Sequence, residues 1–195
     1  PGHHATADVA MGFCLFNNAA VAAAHALNAH GMNRVAILDF DVHHGNGTQD
    51  IVWSRPGIFY VSSHQSPLYP GTGRASERGG SDNIVNMPLP PNSGSTEMRD
   101  AYDAIGLPAL EAFQPDLIIL SAGFDAHRLD PLAGLNWTED DYAWLTNRVL
   151  DIADRLCSGR VVSTLEGGYH LGALGNSVAG HVRALMGASN PQDSC

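Results

Sequence analysis

The sequence predicts an α/β protein with a mainly parallel central sheet and helices on both faces. Three observations carry that prediction. Short apolar runs beginning at Val35, Asp116 and Arg160 have the pattern of strands buried on both faces of a parallel sheet. Helical signals alternate with them, as in βαβ units. Each run also breaks into a polar or glycine-rich loop. Right-handed crossovers bring such loops to one sheet edge, where open α/β folds place their ligands.

Taken in order, residues 17–30 form an alanine-rich helix capped at Asn17 or Asn18 and ending before Gly31. The apolar run from Val35 is the central strand. A short helix is expected over 49–53, stopped by Pro56-Gly57. Residues 58–62 form a strand ending in Ser62, Ser63 and His64. Residues 68–82, rich in glycine, form a long loop of the kind that carries function. A strand over 84–89 is closed by prolines. A helix over 96–113 should kink at Gly106 and Pro108. The strand over 116–121 leads to Gly123-Phe124-Asp125. Thr138 and Asp141 form a capping box for a helix reaching about Cys157. A third fully apolar strand over 160–165 precedes Glu166-Gly167-Gly168-Tyr169, and a last helix covers 171–186.

The 195 residues suffice for one domain with a sizeable core. A hydrophobic share of 44% and a charged share of 15% are those of an ordinary globular protein. The net charge of -10 argues against a nucleic-acid partner and mildly favours cationic substrates. No apolar run approaches the ~20 residues of a membrane span, and no signal-peptide pattern is visible. Three scattered cysteines, Cys14, Cys157 and Cys195, suit a reducing, cytoplasmic setting.

Residues 35–48, VAILDFDVHHGNGT, organise the chain. Side chains alternate along a strand, so Asp39, Asp41 and His43 share one side. Two carboxylates and an imidazole there require a cation, solvent or partners. With Asp125 from a neighbouring strand end, Asp41 and His43 make an open three-ligand set of the catalytic zinc type. The plainer reading is a hydrogen-bonded Asp-His pair capping loops. His3 and His4 are either a surface turn or, near a metal, a general acid and base. Tyr169 either packs or donates to a developing oxyanion.

Six motifs in order resemble the zinc-dependent histone deacetylase family. They are PGHHA at the start, GFCLFNN from Gly12, ILDFDVHHGNGTQD from Ile37, PGTG from Pro70, SAGFDAHRLDPLAG from Ser121 and LEGGYHL from Leu165. The likeness is nearest to the class II branch and to bacterial histone-deacetylase-like amidohydrolases, with acetylpolyamine amidohydrolases as relatives. It implies an arginase-deacetylase fold and a zinc amidohydrolase removing acetyl from an acylated amine, acetyl-lysine first. By the same resemblance Asp41, His43 and Asp125 bind Zn²⁺, and His4 is general base and then acid. His3, oriented by Asp39, is its electrostatic partner, and Tyr169 stabilises the oxyanion.

Asn46 stands where some relatives carry an Asp, which would leave His4 less basic. The resemblance also implies a structural K⁺ held by the Asp39 and Ser62 side chains and by carbonyls of Asp39, Asp41, His43 and Ser63. Phe13 and Tyr69 would line the substrate tunnel, with Gly12 and Gly168 giving backbone access. Leu132 falls where polyamine deacetylases tend to carry a Glu, which favours acetyl-lysine-type substrates.

Di-manganese chemistry of the arginase kind would need acids at positions held here by Gly45 and His127. Acetylpolyamine hydrolysis and a non-catalytic acyl-lysine-binding role stay open. The chain opens without Met, so residues 1–188 are expected to be the C-terminal portion of a catalytic domain whose N-terminal part is missing. Residues 189–195 are expected to be a flexible tail. Such a fragment would expose a sheet edge and be poorly stable and inactive alone. Its oligomeric state is not legible.

Overall fold

A computed structural model describes residues 1–187; the expected tail at 189–195 lies outside the described residues. The strands are β1 (Val35–Asp39), β2 (Ile58–Gln65), β3 (Ile84–Leu89), β4 (Leu117–Ala122) and β5 (Val161–Leu165). All neighbouring pairs are parallel, in the order β3-β2-β1-β4-β5. The chain therefore winds outward from β1 in one direction and from β4 in the other. The crevice between the C-terminal ends of β1 and β4 is the topological switch point, where this architecture binds ligands.

Period-2 alternation divides the apolar residues between two layers. Val35 and Ile37 of β1, Ile58 and Tyr60 of β2, and Leu117 and Ile119 of β4 pack towards α1 (Asn18–Ala29) and α2 (Asn46–Val52). Ala36, Leu38, Phe59, Val61, Ile118 and Leu120 join the opposite layer, with α3 (Ser95–Ala101), α4 (Leu107–Phe113) and α5 (Glu139–Cys157). The last helix is α6 (Leu171–Leu185), packed on α5. Asn17 caps α1 by accepting the Ala20 N–H at 3.0 Å. Thr138 and Asp141 cap α5 reciprocally, the Thr138 N–H donating to Asp141 at 2.9 Å.

Several expectations shift. The helix expected over 49–53 begins three residues earlier, at Asn46. Gly47 has to be glycine, because a Cβ there would collide with the Ala5 carbonyl. The strand expected over 58–62 continues to Gln65 and stays buried throughout. The expected kink takes the form of a π-helical turn over Tyr102–Gly106 between α3 and α4. Pro108 lacks the N–H that an unbroken α-helix would use there, and the wider turn absorbs the break. The third apolar strand is the main correction. Among the described residues β5 pairs with β4 alone, and Val162 and Leu165 are each 51% exposed, so burial on both faces is not seen there.

Candidate metal centre and its surroundings

β1 ends at Asp39, so strand alternation alone does not place Asp41 and His43. The loop is held in an extended course by its own carboxylates. Asp39 Oδ1 accepts the Asp41 N–H at 3.2 Å, Asp41 Oδ1 accepts the His43 N–H at 2.8 Å, and Asp125 Oδ1 accepts the Val42 N–H at 2.9 Å. Each bond takes up one oxygen or one lone pair and leaves the rest facing inward. Ligand atoms of Asp41, His43 and Asp125 then lie within 4.8 Å of one another. His43 Nδ1 is 3.1 Å from both Asp41 Oδ1 and Asp125 Oδ2.

Two glycines make the cradle. A Cβ on Gly123 would strike Asp41 Oδ2, and one on Gly167 would strike Asp125 Oδ2. The Gly167 N–H instead donates to Asp41 Oδ2 at 2.8 Å. Burial raises the cost of charge on both aspartates. Asp125 is pushed up to about 7 by burial and by the negative Asp41 beside it. Burial also opposes ionisation of Asp41, but His3 and His43 outweigh it and hold Asp41 well below the usual carboxylate range. Burial opposes charge on His43, yet its bonds to Asp125 and Asp41 hold it up at about 10. Two buried carboxylates competing for an imidazolium proton are the condition that a divalent cation relieves. The mixed oxygen and nitrogen donor set fits zinc.

The imidazole pair sits directly over this triad. His3 donates from Nδ1 to Asp39 Oδ2 at 3.0 Å, and its Nε2 is 3.7 Å from Asp41 Oδ1. Burial opposes charge on His3, but Asp39 and Asp41 outweigh it and keep the ring protonated well above the usual imidazole range. His4 lies beside it, with ring centroids 4.1 Å apart. Its Nδ1 donates to Asn46 Oδ1 at 2.8 Å, so the lone pair of the neutral ring is on Nε2. Burial and the His3 charge lower His4 to about 4. A Cβ on Gly12, whose φ is +55°, would collide with the His4 ring.

Aromatic side chains ring the opening. Tyr69 packs edge-on to His4 and His43, with centroids at 5.1 and 6.3 Å, and Phe13 faces Tyr169 at 6.4 Å. Phe13 holds a positive φ of 64°, a strained conformation of the kind kept where a side chain must be aimed. Leu132 and Tyr169 are joined through Asp130, which accepts the Leu132 N–H at 3.0 Å and the Tyr169 N–H at 2.7 Å. Burial raises the Tyr169 phenol well above its ordinary range, helped by Asp125 and Asp41, so it is a proton donor at neutral pH. Gly168 precedes it at φ +138°.

Asp39 and Ser62 are paired in register across β1 and β2. The Ser62 hydroxyl bonds His64 Nδ1 at 2.9 Å, and that of Ser63 bonds Tyr102 at 2.8 Å on the other face. Three residues with contacts in the site had no role in the sequence reading. Tyr60 donates to Asp39 Oδ2 at 2.8 Å, Asp130 braces the rim, and Glu166 binds the backbone that carries His3. For Glu166 the available signal was its position directly before the Gly-Gly-Tyr run.

An imidazole pair beside a carboxylate–imidazole triad, at the switch point of a parallel sheet, defines the class as α/β proteins whose site residues could hold a metal ion. The sequence profile described as "Histone deacetylase domain" matches residues 1–185, and the chain belongs to that family. It is 51% identical over 190 residues to "Histone deacetylase 10, chloroplastic" of Oryza sativa subsp. japonica, covering 96% of this chain and 43% of the relative. It is 46% identical over 173 residues to the "Histone deacetylase-like amidohydrolase" of Pseudomonas aeruginosa, covering 87% of this chain and 46% of that protein.

Among solved structures, the "HDA15 HD domain" superposes with a TM-score of 0.91 at 42% identity, covering 97% of this chain and 54% of that one. An acetylpolyamine aminohydrolase from Burkholderia pseudomallei gives 0.86 at 40% identity, covering 95% of this chain and 54% of that one. The chain thus spans less than half the length of the rice and Pseudomonas relatives. Among the described residues, no helix is long and apolar enough to cross a membrane.

Proposed function

We propose that this protein is a zinc-dependent amidohydrolase that removes acetyl groups from N-acetyl-lysine side chains of peptides or proteins. The observation that carries the reading is His4, neutral and with a free Nε2, beside the open Asp41–His43–Asp125 set. Held by those three residues, zinc would polarise the amide carbonyl and acidify a water. His4 Nε2 takes the proton of the attacking water as its oxygen adds to the carbonyl carbon. It returns that proton to the amine nitrogen as the C–N bond breaks. The His3 imidazolium, paired with Asp39, opposes positive charge on His4 and sharpens it as a donor in the second step. The Tyr169 phenol donates to the oxygen on which negative charge develops.

Phe13 and Tyr69 flank an apolar lysine stem, with Gly12 and Gly168 letting the backbone come close. Asp39 and Ser62, with carbonyls of Asp39, Asp41, His43 and Ser63, would hold a structural K⁺. Cys14 and Cys157 are free and buried, which suits a cytoplasmic setting. A second reading, an acetylated polyamine or other small acetylated amine as substrate, is favoured by the likeness to the Burkholderia enzyme.

Parallel hydrolysis of an acetyl-lysine peptide and N-acetylputrescine, with and without chelator, tests both. Chelator-sensitive cleavage of the peptide, lost in Tyr169→Phe, supports the first reading. Preference for the polyamine selects the second. Retention of intact acetyl-lysine with no turnover of either substrate would indicate a binding role.

A further inference from the structure

Glu166 is 4% exposed and lies at the end of β5, immediately before Gly167. Its Oε2 accepts two backbone N–H groups from the far end of the chain, Gly2 at 2.5 Å and His3 at 3.1 Å. Its Oε1 accepts the Ser121 hydroxyl of β4 at 2.6 Å. A buried carboxylate needs such donors, and these three belong to two separate parts of the site. The next residue reaches a third: Gly167 donates to Asp41 Oδ2 at 2.8 Å, and its carbonyl accepts the Phe124 N–H at 2.8 Å.

Few other bonds hold the segment that carries His3 and His4. The His3 carbonyl accepts the Thr48 N–H at 3.0 Å, and Asn17 reaches the Ala5 carbonyl at 3.1 Å. These contacts lie on the α1 and α2 side. The Glu166 clamp ties the segment to the β4–β5 side, from which Asp125 and Tyr169 come. Without it, the imidazole side chains would still meet Asn46, Asp39 and Asp41, but the backbone that carries them would have no tie to the β4–β5 side, from which Asp125 and the phenol come.

We infer that Glu166 is a positioning residue that sets the height of the His3–His4 pair over the Asp41–His43–Asp125 site. It acts by geometry, through two backbone N–H groups, and touches neither substrate nor metal. The inference rests on the deacetylase reading, which assigns His4 the proton transfers. A base misplaced by a fraction of an ångström loses rate while substrate binding persists.

The test compares Glu166→Ala, Glu166→Gln and Ser121→Ala in the metal-loaded protein. A Gln can accept the two N–H groups with its amide oxygen and donate to the Ser121 hydroxyl, so it preserves the clamp without the charge. The expected result is a loss of roughly 10- to 100-fold in kcat for Glu166→Ala with KM and metal content unchanged, as for other residues that orient catalytic groups. Glu166→Gln should recover most of that loss, and Ser121→Ala should fall between them.

A direct readout accompanies the kinetics: the His4 Nδ1 proton bonded to Asn46, observed by ¹⁵N-edited NMR. It should persist in Glu166→Gln and broaden or vanish in Glu166→Ala. Equal impairment of Gln and Ala would overturn the geometric role in favour of charge. An unaffected Ala variant, or metal loss in step with activity, would overturn it as well. If the unsubstituted protein hydrolyses no acetylated amine, the deacetylase reading fails, while the His4 proton signal still decides whether the clamp exists.

Discussion

Asn46 Oδ1 lies 2.8 Å from His4 Nδ1 and gives that imidazole a partner without a charge. A carboxylate in the same place would stabilise the imidazolium. Asn46→Asp therefore raises the His4 pKa from its lowered value of about 4 towards the neutral range. The expected outcome is an acid limb of the kcat/KM profile below pH 6 in the unsubstituted protein, moved upward in Asn46→Asp. An acid limb at the same pH in both would remove Asn46 from the account of His4 basicity.

Metal affinity should rise with pH. His43, at about 10 in the metal-free site, must lose a proton to become a ligand, and Asp125, at about 7, must lose another below neutrality. Binding should release about one proton per ion at pH 8 to 9 and a second as pH falls below 7. Isothermal titration with Zn²⁺ in buffers of different ionisation enthalpy measures this. Asp125→Ala should weaken binding by orders of magnitude, since it also frees the Val42 N–H that keeps the loop extended. Proton release independent of pH would contradict the electrostatics of the triad.

Tyr169 is set apart from a packing tyrosine by its 37% exposure and by the bond from its N–H to Asp130. Removing one donor aimed at a developing oxyanion costs about 10²- to 10³-fold in kcat. Tyr169→Phe should show a loss of that size with little change in KM. A change confined to KM would mean that the ring only lines the opening.

How much of this was legible differs from element to element. β3, the capping box of α5 and the Asp41-x-His43 pair are local patterns whose residues carry the signal themselves, while Asp125, 82 residues beyond His43, was legible only as the acid at another strand end. The exposure of β5 among the described residues was hidden because burial depends on what lies alongside a strand, which VVSTL does not encode. The π-turn at Tyr102–Gly106 was half visible: Pro108 announces a broken helix, but the manner of repair depends on packing against Met87. Glu166 and Asp130 resemble ordinary loop acids, because their partners are backbone N–H groups 163 and 39 residues away, which any sequence supplies.

His181 offers a stability prediction away from the metal centre. It is buried between α5, α6 and β5, where Thr146 gives its hydroxyl proton to the Tyr142 carbonyl and so must accept from His181 Nδ1 at 2.7 Å. Nε2 is then left to accept from the Ser163 hydroxyl at 2.9 Å. Protonation would put a second hydrogen where an acceptor is needed, in a place where burial already lowers the pKa to about 4. The unfolded chain, with an imidazole near 6.5, takes up a proton first as pH falls. The contribution of His181 is therefore fully present above pH 6.5 and is lost as pH drops through 6.5 towards 4, amounting to roughly 3 kcal/mol at most. Denaturant titrations at pH 7.5, 6 and 5 should show the stability of the protein falling across that window. In His181→Gln, stability should start lower at pH 7.5 and fall less steeply, so that the two curves converge towards pH 4. Parallel curves would mean that His181 is neutral in both states or charged in both, contrary to its hydroxyl partners.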